Sequence, residues 1–167
     1  DMQFPGRKVL VKVWQARLGH VTLLLLDTDL AENAERDRDI AHRLYGGDRV
    51  TRLEQELVLG VAGVRALAAI GHKPTVWHIN EGHAAFMMVE RVRELTTRGV
   101  PFDDATRQVR ARSVFTTHTP VPAGHDTFTL EDLARCSGDA WSERGVSRGT
   151  LSGIGTHPTE EPGRFHM

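Results

Sequence analysis

The stretch that most constrains this chain runs from Pro74 to Phe86, PTVWHINEGHAAF. Thr75 to Ile79 has strand character and runs directly into a polar knot, Asn80-Glu81-Gly82-His83. From Ala84 to Met88 the pattern turns helical. A short apolar run, then polar residues and a glycine, then a helix, is how an α/β protein ends a parallel strand. In open α/β sheets ligands sit beyond the carboxyl ends of the strands. Asn80, Glu81 and His83 are therefore expected on the edge where chemistry is done.

The rest of the chain can be read relative to that edge. Lys8 to Trp14 alternates as a strand, and Arg17 to His20 is a turn. Val21 to Asp27 reads as a second strand, buried on both faces and able to pair with the first as a hairpin. Asp27-Thr28-Asp29 is read as turn and cap chemistry rather than metal ligation. Ala31 to Asp39 is charged enough for a solvated helix or loop. Thr51 to Glu54 fits a capping box that opens a helix burying Leu53, Leu57, Val61, Val64 and Leu67. Gly60 and Gly63 in that helix suggest close packing against a sheet.

After the knot, Val89 to Thr97 continues the helix, with Val89, Val92 and Leu95 inward. Asp103 or Asp104 is expected to cap another helix ending near Arg112. Ser113 to Thr117 is a strand that ends in a proline-shaped loop, His118 to Asp126. Leu130 to Ala134 suggests one further helix. The alternation of strand and helix predicts an α/β fold, mainly a parallel sheet with flanking helices and an N-terminal β-hairpin. On that topology the knot after Ile79 and the loop after Thr117 share one sheet edge. Glu81, His83, His118 and His125 then converge from two segments.

Composition excludes several functions. With 167 residues and a formal net charge of −1, no electrostatic case exists for nucleic acid or an anionic membrane. The longest apolar run, Val21 to Leu26, is too short to span a bilayer. The single Cys136 leaves no internal disulfide, so a reducing, cytoplasmic setting is expected. The chain starts at Asp1 and stops at Met167 with no tail, and reads as a segment of a longer protein.

Three chemistries compete for the convergent residues. His78, Glu81, His83 and His118 offer metal ligands, but the spacing H-x-x-E-x-H does not put two histidines on one helical face. Histidines bonded to backbone are the structural alternative, preferred for His20, His42, His72, His157 and His166. A polar edge for sugar or phosphate is the third, since Asn, Glu and His supply dense donors and acceptors.

Several stretches together resemble the α-glucan (glycogen or starch) phosphorylases of the bacterial subgroup. They are LLLLDTD (23–29), LYGGD (44–48), RLEQELVLGVAGVRAL (52–67), HINEGHAAF (78–86), FTTHTPVPAGHDTF (115–128) and GRFHM (163–167). The resemblance implies two Rossmann-like domains facing across a cleft, the GT-B arrangement. It implies phosphorolysis of α-1,4-glucan by inorganic phosphate to α-D-glucose 1-phosphate, with pyridoxal 5′-phosphate on a lysine of a C-terminal domain. Residues 1–167 would form part of the N-terminal Rossmann-like domain, inactive alone. The full-length enzyme could be a homo-oligomer. His118 and Thr119 would be the catalytic-loop residues, His118 contacting the glucosyl 6-hydroxyl and offering its carbonyl to the oxocarbenium-like centre. Asn80, Glu81, His83 and Ala123 would line the substrate path, and no residue of this chain would hold the cofactor or a metal. A stand-alone carbohydrate-binding or interaction module is the alternative from another class, with a metallohydrolase third.

Overall fold

A computed structural model describes residues 1–43, 46–119, 126–138 and 164–166, with the isolated positions 149, 153 and 155. Two short strands, β1 (Met2–Phe4) and β2 (Arg7–Val9), pair antiparallel and bury Met2, Phe4 and Val9. The hairpin β3 (Lys12–Leu18) and β4 (Val21–Asp27) follows, turning at Gly19 with φ +61°. The expected single strand from Lys8 to Trp14 is thus two. Asn33 accounts for the break: it receives the Leu10 amide and donates to the Leu10 carbonyl, both at 2.8 Å.

The expectation that β4 is buried on both faces fails. Val21, Leu23 and Leu25 are exposed, because no described element covers their face of the hairpin. Asp27 does perform turn chemistry, accepting the Asp29 amide at 2.8 Å. Within Ala31 to Asp39 only a one-turn helix forms, α1 (Glu35–Arg38). Its Asp37 is buried against Arg7, which also reaches Glu54 at 2.5 Å.

One long helical run forms the spine. It comprises α2 (Arg49–Leu57), a π-helical stretch (Val58–Ala62) and α3 (Gly63–Ala69). Its cap is Asp48 rather than Thr51: the Asp48 carboxylate accepts the Thr51 amide at 2.8 Å, and Glu54 is occupied by Arg7. Leu53, Leu57, Val61 and Val64 are buried as their spacing requires, whereas Leu67 is only half-buried.

Gly60 is pressed against helix α4 (Phe86–Thr97), not against a sheet. A Cβ there would meet the Met87 nitrogen at 2.7 Å and Phe86 Cβ at 2.8 Å. Gly63 faces open space. The two glycines should therefore respond oppositely to alanine. Gly60→Ala is expected to cost about 1–3 kcal/mol through overpacking. Gly63→Ala is expected to stabilise by about 1 kcal/mol through helix propensity. Thermal unfolding of both variants checks the pair, and equal shifts would refute the packing account.

Beyond the spine, β5 (Trp77–Asn80) leads through a 3₁₀ turn (Gly82–Ala84) into α4. Helix α5 (Phe102–Ala111) starts at Pro101 with no side-chain cap, and Asp103 and Asp104 lie inside its first turn. Val92, Ala105 and Val109 form the seam between α4 and α5. Strand β6 (Ser113–Thr116) then pairs parallel with β5, Asn80 opposite Thr116. Strand β7 (Thr127–Thr129), helix α6 (Leu130–Ser137) and β8 (Arg164–His166) complete the described chain, β7 and β8 antiparallel.

The architecture is mixed α/β, but the expected mainly parallel sheet is not what the described residues form. They make four two-stranded sheets, of which only β5–β6 is parallel. The main core lies under α2 and the π-helical stretch, where Leu57, Val61, Phe86 and Phe165 meet strands β1 and β2. Phe86 and Phe165 stack at 5.9 Å.

Candidate functional site

The carboxyl ends of β5 and β6 lie side by side because these two strands run parallel in register. At the last paired residue and just past it, the chain of β5 supplies Asn80, Glu81 and His83. The chain of β6 supplies Thr117, His118 and Thr119. The expected convergence of the two segments is observed. Ala123 and His125 fall outside the described residues.

Asn80 and Glu81 grip His118 from two directions. The His118 ring lies with Nε2 at 2.8 Å from Asn80 Oδ1. The His118 amide donates to Glu81 Oε1 at 2.5 Å. The Thr117 hydroxyl donates to Glu81 Oε2 at 3.1 Å, and the Thr119 hydroxyl to Oε1 at 3.3 Å. The His118 amide, and then the two hydroxyls, hold the Glu81 carboxyl below the usual carboxylate range despite its burial. Glu81 has φ +58°, the positive-φ position occupied by a residue other than glycine among the described residues. His78 turns away from this group, with Nε2 2.6 Å from the Thr116 hydroxyl.

His83 belongs to a second, adjoining cluster. Its Nδ1 is 3.3 Å from Arg52 Nη2, which also lies 2.8 Å from Asp126 Oδ2 and 3.4 Å from Glu56 Oε1. Asp126 is the last residue of the segment His118 to Asp126 that the sequence predicts to be a proline-shaped loop. Arg52, Glu56 and Asp126 were not singled out in the sequence. A signal was available: Glu56 falls three residues after Leu53 and four before Gly60, on the inward stripe of the helix where a charge is unexpected.

Glu56 is 98% buried as a side chain, and its Oε2 has no hydrogen-bond partner among the described residues. Burial, then the adjacent Asp126 carboxyl, push its pKa up to about 9. Burial works against Asp126 too, but Glu56 and Arg52 hold that carboxyl below its ordinary range. The pair therefore shares one proton at neutral pH.

This arrangement sets a pH dependence. The unfolded chain releases the Glu56 proton near the ordinary value of 4.5, and the folded chain only near about 9. The folded state binds more protons between these limits, so stability falls as pH rises through that window. Glu56→Gln mimics the protonated acid and removes the fall. The melting-temperature advantage of Glu56→Gln over the parent is expected to widen from about pH 5 to about pH 8. A constant difference would mean that Glu56 is ionised in the fold.

Ligand atoms of Glu56, His83 and Asp126 lie within 4.8 Å of one another, close enough to hold a metal ion. The Arg52 guanidinium already sits within hydrogen-bonding distance of all three side chains. Positive charge is thereby supplied by the chain itself, in the space a cation would take. The ligand set weighed and disfavoured in the sequence, His78, Glu81, His83 and His118, is divided: His78 bonds Thr116, His83 joins Arg52, and Glu81 bonds residues 117–119.

Comparison with known proteins bears on what such an edge serves. Glycogen phosphorylase of Mycobacterium tuberculosis (strain CDC 1551) is 44% identical over 169 residues, covering 93% of this chain and 19% of that protein. Maltodextrin phosphorylase of Thermococcus litoralis is 41% identical over 135 residues, covering 81% of this chain and 16% of that protein. Glycogen phosphorylase of Aquifex aeolicus is 34% identical over 155 residues, covering 93% and 22% respectively. No family profile matches the chain. The chain spans about a fifth of the length of the curated relatives it matches. Identity of this level along nearly the whole chain, through the stretches that build the β5–β6 edge, shows that the chain belongs to the α-glucan phosphorylase family and corresponds to a segment of its members.

Proposed function

We propose that this chain is part of the N-terminal, Rossmann-like domain of an α-glucan phosphorylase of GT-B arrangement, and that the β5–β6 edge is one wall of its cleft. The reaction is phosphorolysis of α-1,4-glucan to α-D-glucose 1-phosphate, in a cytoplasmic enzyme. His118 and Thr119 are the catalytic-loop residues. Asn80, His83 and Ala123 line the substrate path, and Glu81 stands behind it, bonded to residues 117–119. The observation that carries this reading is the meeting of Asn80, Glu81, His118 and Thr119 beyond the carboxyl ends of two parallel strands, where α/β proteins bind ligands.

The residues present do not fit pyridoxal 5′-phosphate, which attaches by a Schiff base to a positioned lysine. The chain has three lysines. Lys8 pairs with Asp1 at 2.7 Å, and Lys12 lies 3.7 Å from the Trp14 ring on the hairpin. Lys73 precedes β5, at the strand end opposite Glu81. The cofactor would have to come with another part of the enzyme. Borohydride reduction of the isolated chain with the cofactor is expected to give no stoichiometric pyridoxyl-lysine by mass spectrometry. A single full-occupancy adduct would overturn the half-cleft reading.

The function itself is tested by a chimera. The aligned segment of the M. tuberculosis glycogen phosphorylase is replaced by this chain, and glucose 1-phosphate release from glycogen is measured. Activity is expected. A folded chimera that binds cofactor but releases no product would defeat the proposal.

A further inference from the structure

Glu81 does something unusual at the end of the parallel ladder. Its amide donates to the Thr116 carbonyl at 2.9 Å, as regular pairing requires. In a regular parallel ladder the next bond would run from the His118 amide to the Glu81 carbonyl, since the bonds are evenly spaced along the pair. Here φ turns to +58° and the His118 amide instead donates to the Glu81 side chain. The carboxylate stands in for the backbone carbonyl and extends the ladder by one rung. Its second oxygen takes the Thr117 hydroxyl, and its first also takes Thr119. Every hydrogen bond that the carboxylate accepts among the described residues comes from this three-residue stretch.

We propose that Glu81 is a positioning residue, whose carboxylate fixes the backbone and hydroxyls of residues 117–119 and so aims His118, rather than a ligand of the sugar. A left-handed backbone at a side-chain-bearing residue persists only where the surroundings over-determine it. The three bonds to the loop supply that determination. Only 8% of Glu81 is exposed, which leaves little of it to meet a glucan. Asn80 completes the grip by meeting the His118 ring, so the last residue of β5 and the one after it hold the histidine by its imidazole and by its backbone. The role in catalysis rests on the function proposed above, whereas the grip on the loop does not.

The test uses Glu81→Gly, which removes the carboxylate while suiting the positive φ, so that backbone strain does not by itself unfold the variant. Glu81→Gln is its companion, since an amide can still accept from His118 and donate to a threonine oxygen. Amide hydrogen exchange is measured on the 167-residue chain. In Glu81→Gly the His118 amide is expected to lose about tenfold in protection while Ile79 and Thr116, whose amides lie on the same ladder, keep theirs. Glu81→Gln should stay within about threefold of the parent at His118. Unchanged protection at His118 in Glu81→Gly would overturn the grip.

In the chimera, Glu81→Gly is expected to lower kcat with KM for glucan within about twofold of the parent, and Glu81→Gln to restore most of kcat. A raised KM with kcat unchanged would make Glu81 a sugar ligand and overturn the proposal. A chimera that is inactive with Glu81 in place would overturn the function, while the exchange result would still decide the grip.

Discussion

Replacing His118 by alanine in the active chimera is expected to lower kcat/KM for phosphorolysis roughly 10- to 1,000-fold, with the unfolding temperature almost unchanged. The lower bound reflects loss of one hydrogen bond to an uncharged substrate hydroxyl, and the upper bound adds misplacement of backbone groups at a developing charge. Stability should be spared because the side chain contributes little packing. The His118 ring meets Asn80 on the exposed edge, whereas the grip on the loop runs through the His118 amide, which alanine retains. Asn80→Ala should weaken activity in the same direction but less, since it frees the ring without removing it. Near-parental kcat/KM in His118→Ala, with the amide bond to Glu81 intact, would make His118 a structural residue and move the chemistry elsewhere.

Much of that site was legible in the sequence because it is local. The change from strand to knot to helix at Asn80–His83 is written in consecutive residues, and so is the end of β6 at His118. The rule that parallel strands end at a common edge joins the two segments without further information. What the sequence left open was which neighbour each side chain would choose. Asn80, Glu81 and His83 were expected to serve one group, but Glu81 turns into the loop while His83 joins Arg52, Glu56 and Asp126. The left-handed φ of Glu81 could not be read from its identity, since glutamate seldom adopts it. Two helix-level expectations also failed. Asp48 took the cap from Thr51, and α4 rather than a sheet filled the notch at Gly60. The notch at Gly60 depends on a tertiary contact that local spacing does not encode, whereas the Asp48 cap is a three-residue contact, favoured once Arg7 occupies Glu54.

The β3–β4 hairpin forms as expected, but β4 is not buried on both faces, and its exposed face leads to an expected strong self-association of the isolated chain. The β3–β4 register places Trp14 opposite Leu25, Ala16 opposite Leu23 and Leu18 opposite Val21. Directly opposed residues share a face, so these side chains form one apolar surface. Leu18 is 62% exposed, Val21 57% and Leu25 54%. On the other edge of β4, no strand pairs among the described residues, leaving backbone donors and acceptors for another chain. A surface of this kind is an association site in isolation. Sedimentation velocity on the isolated chain should show species heavier than the 18.6 kDa monomer at tens of micromolar, by order of magnitude. Leu23→Lys with Leu25→Lys should return it to monomer, because each buried leucine is worth about 1.5–3 kcal/mol and lysine adds edge repulsion. A parental chain that sediments as monomer across that range would remove the basis for the claim. In the chimera the same pair of substitutions is expected to act with the opposite sign. There the apolar residues read in the sequence as buried on both faces would meet the remainder of the enzyme, and two lysines placed among them would lower its stability rather than improve its solution behaviour.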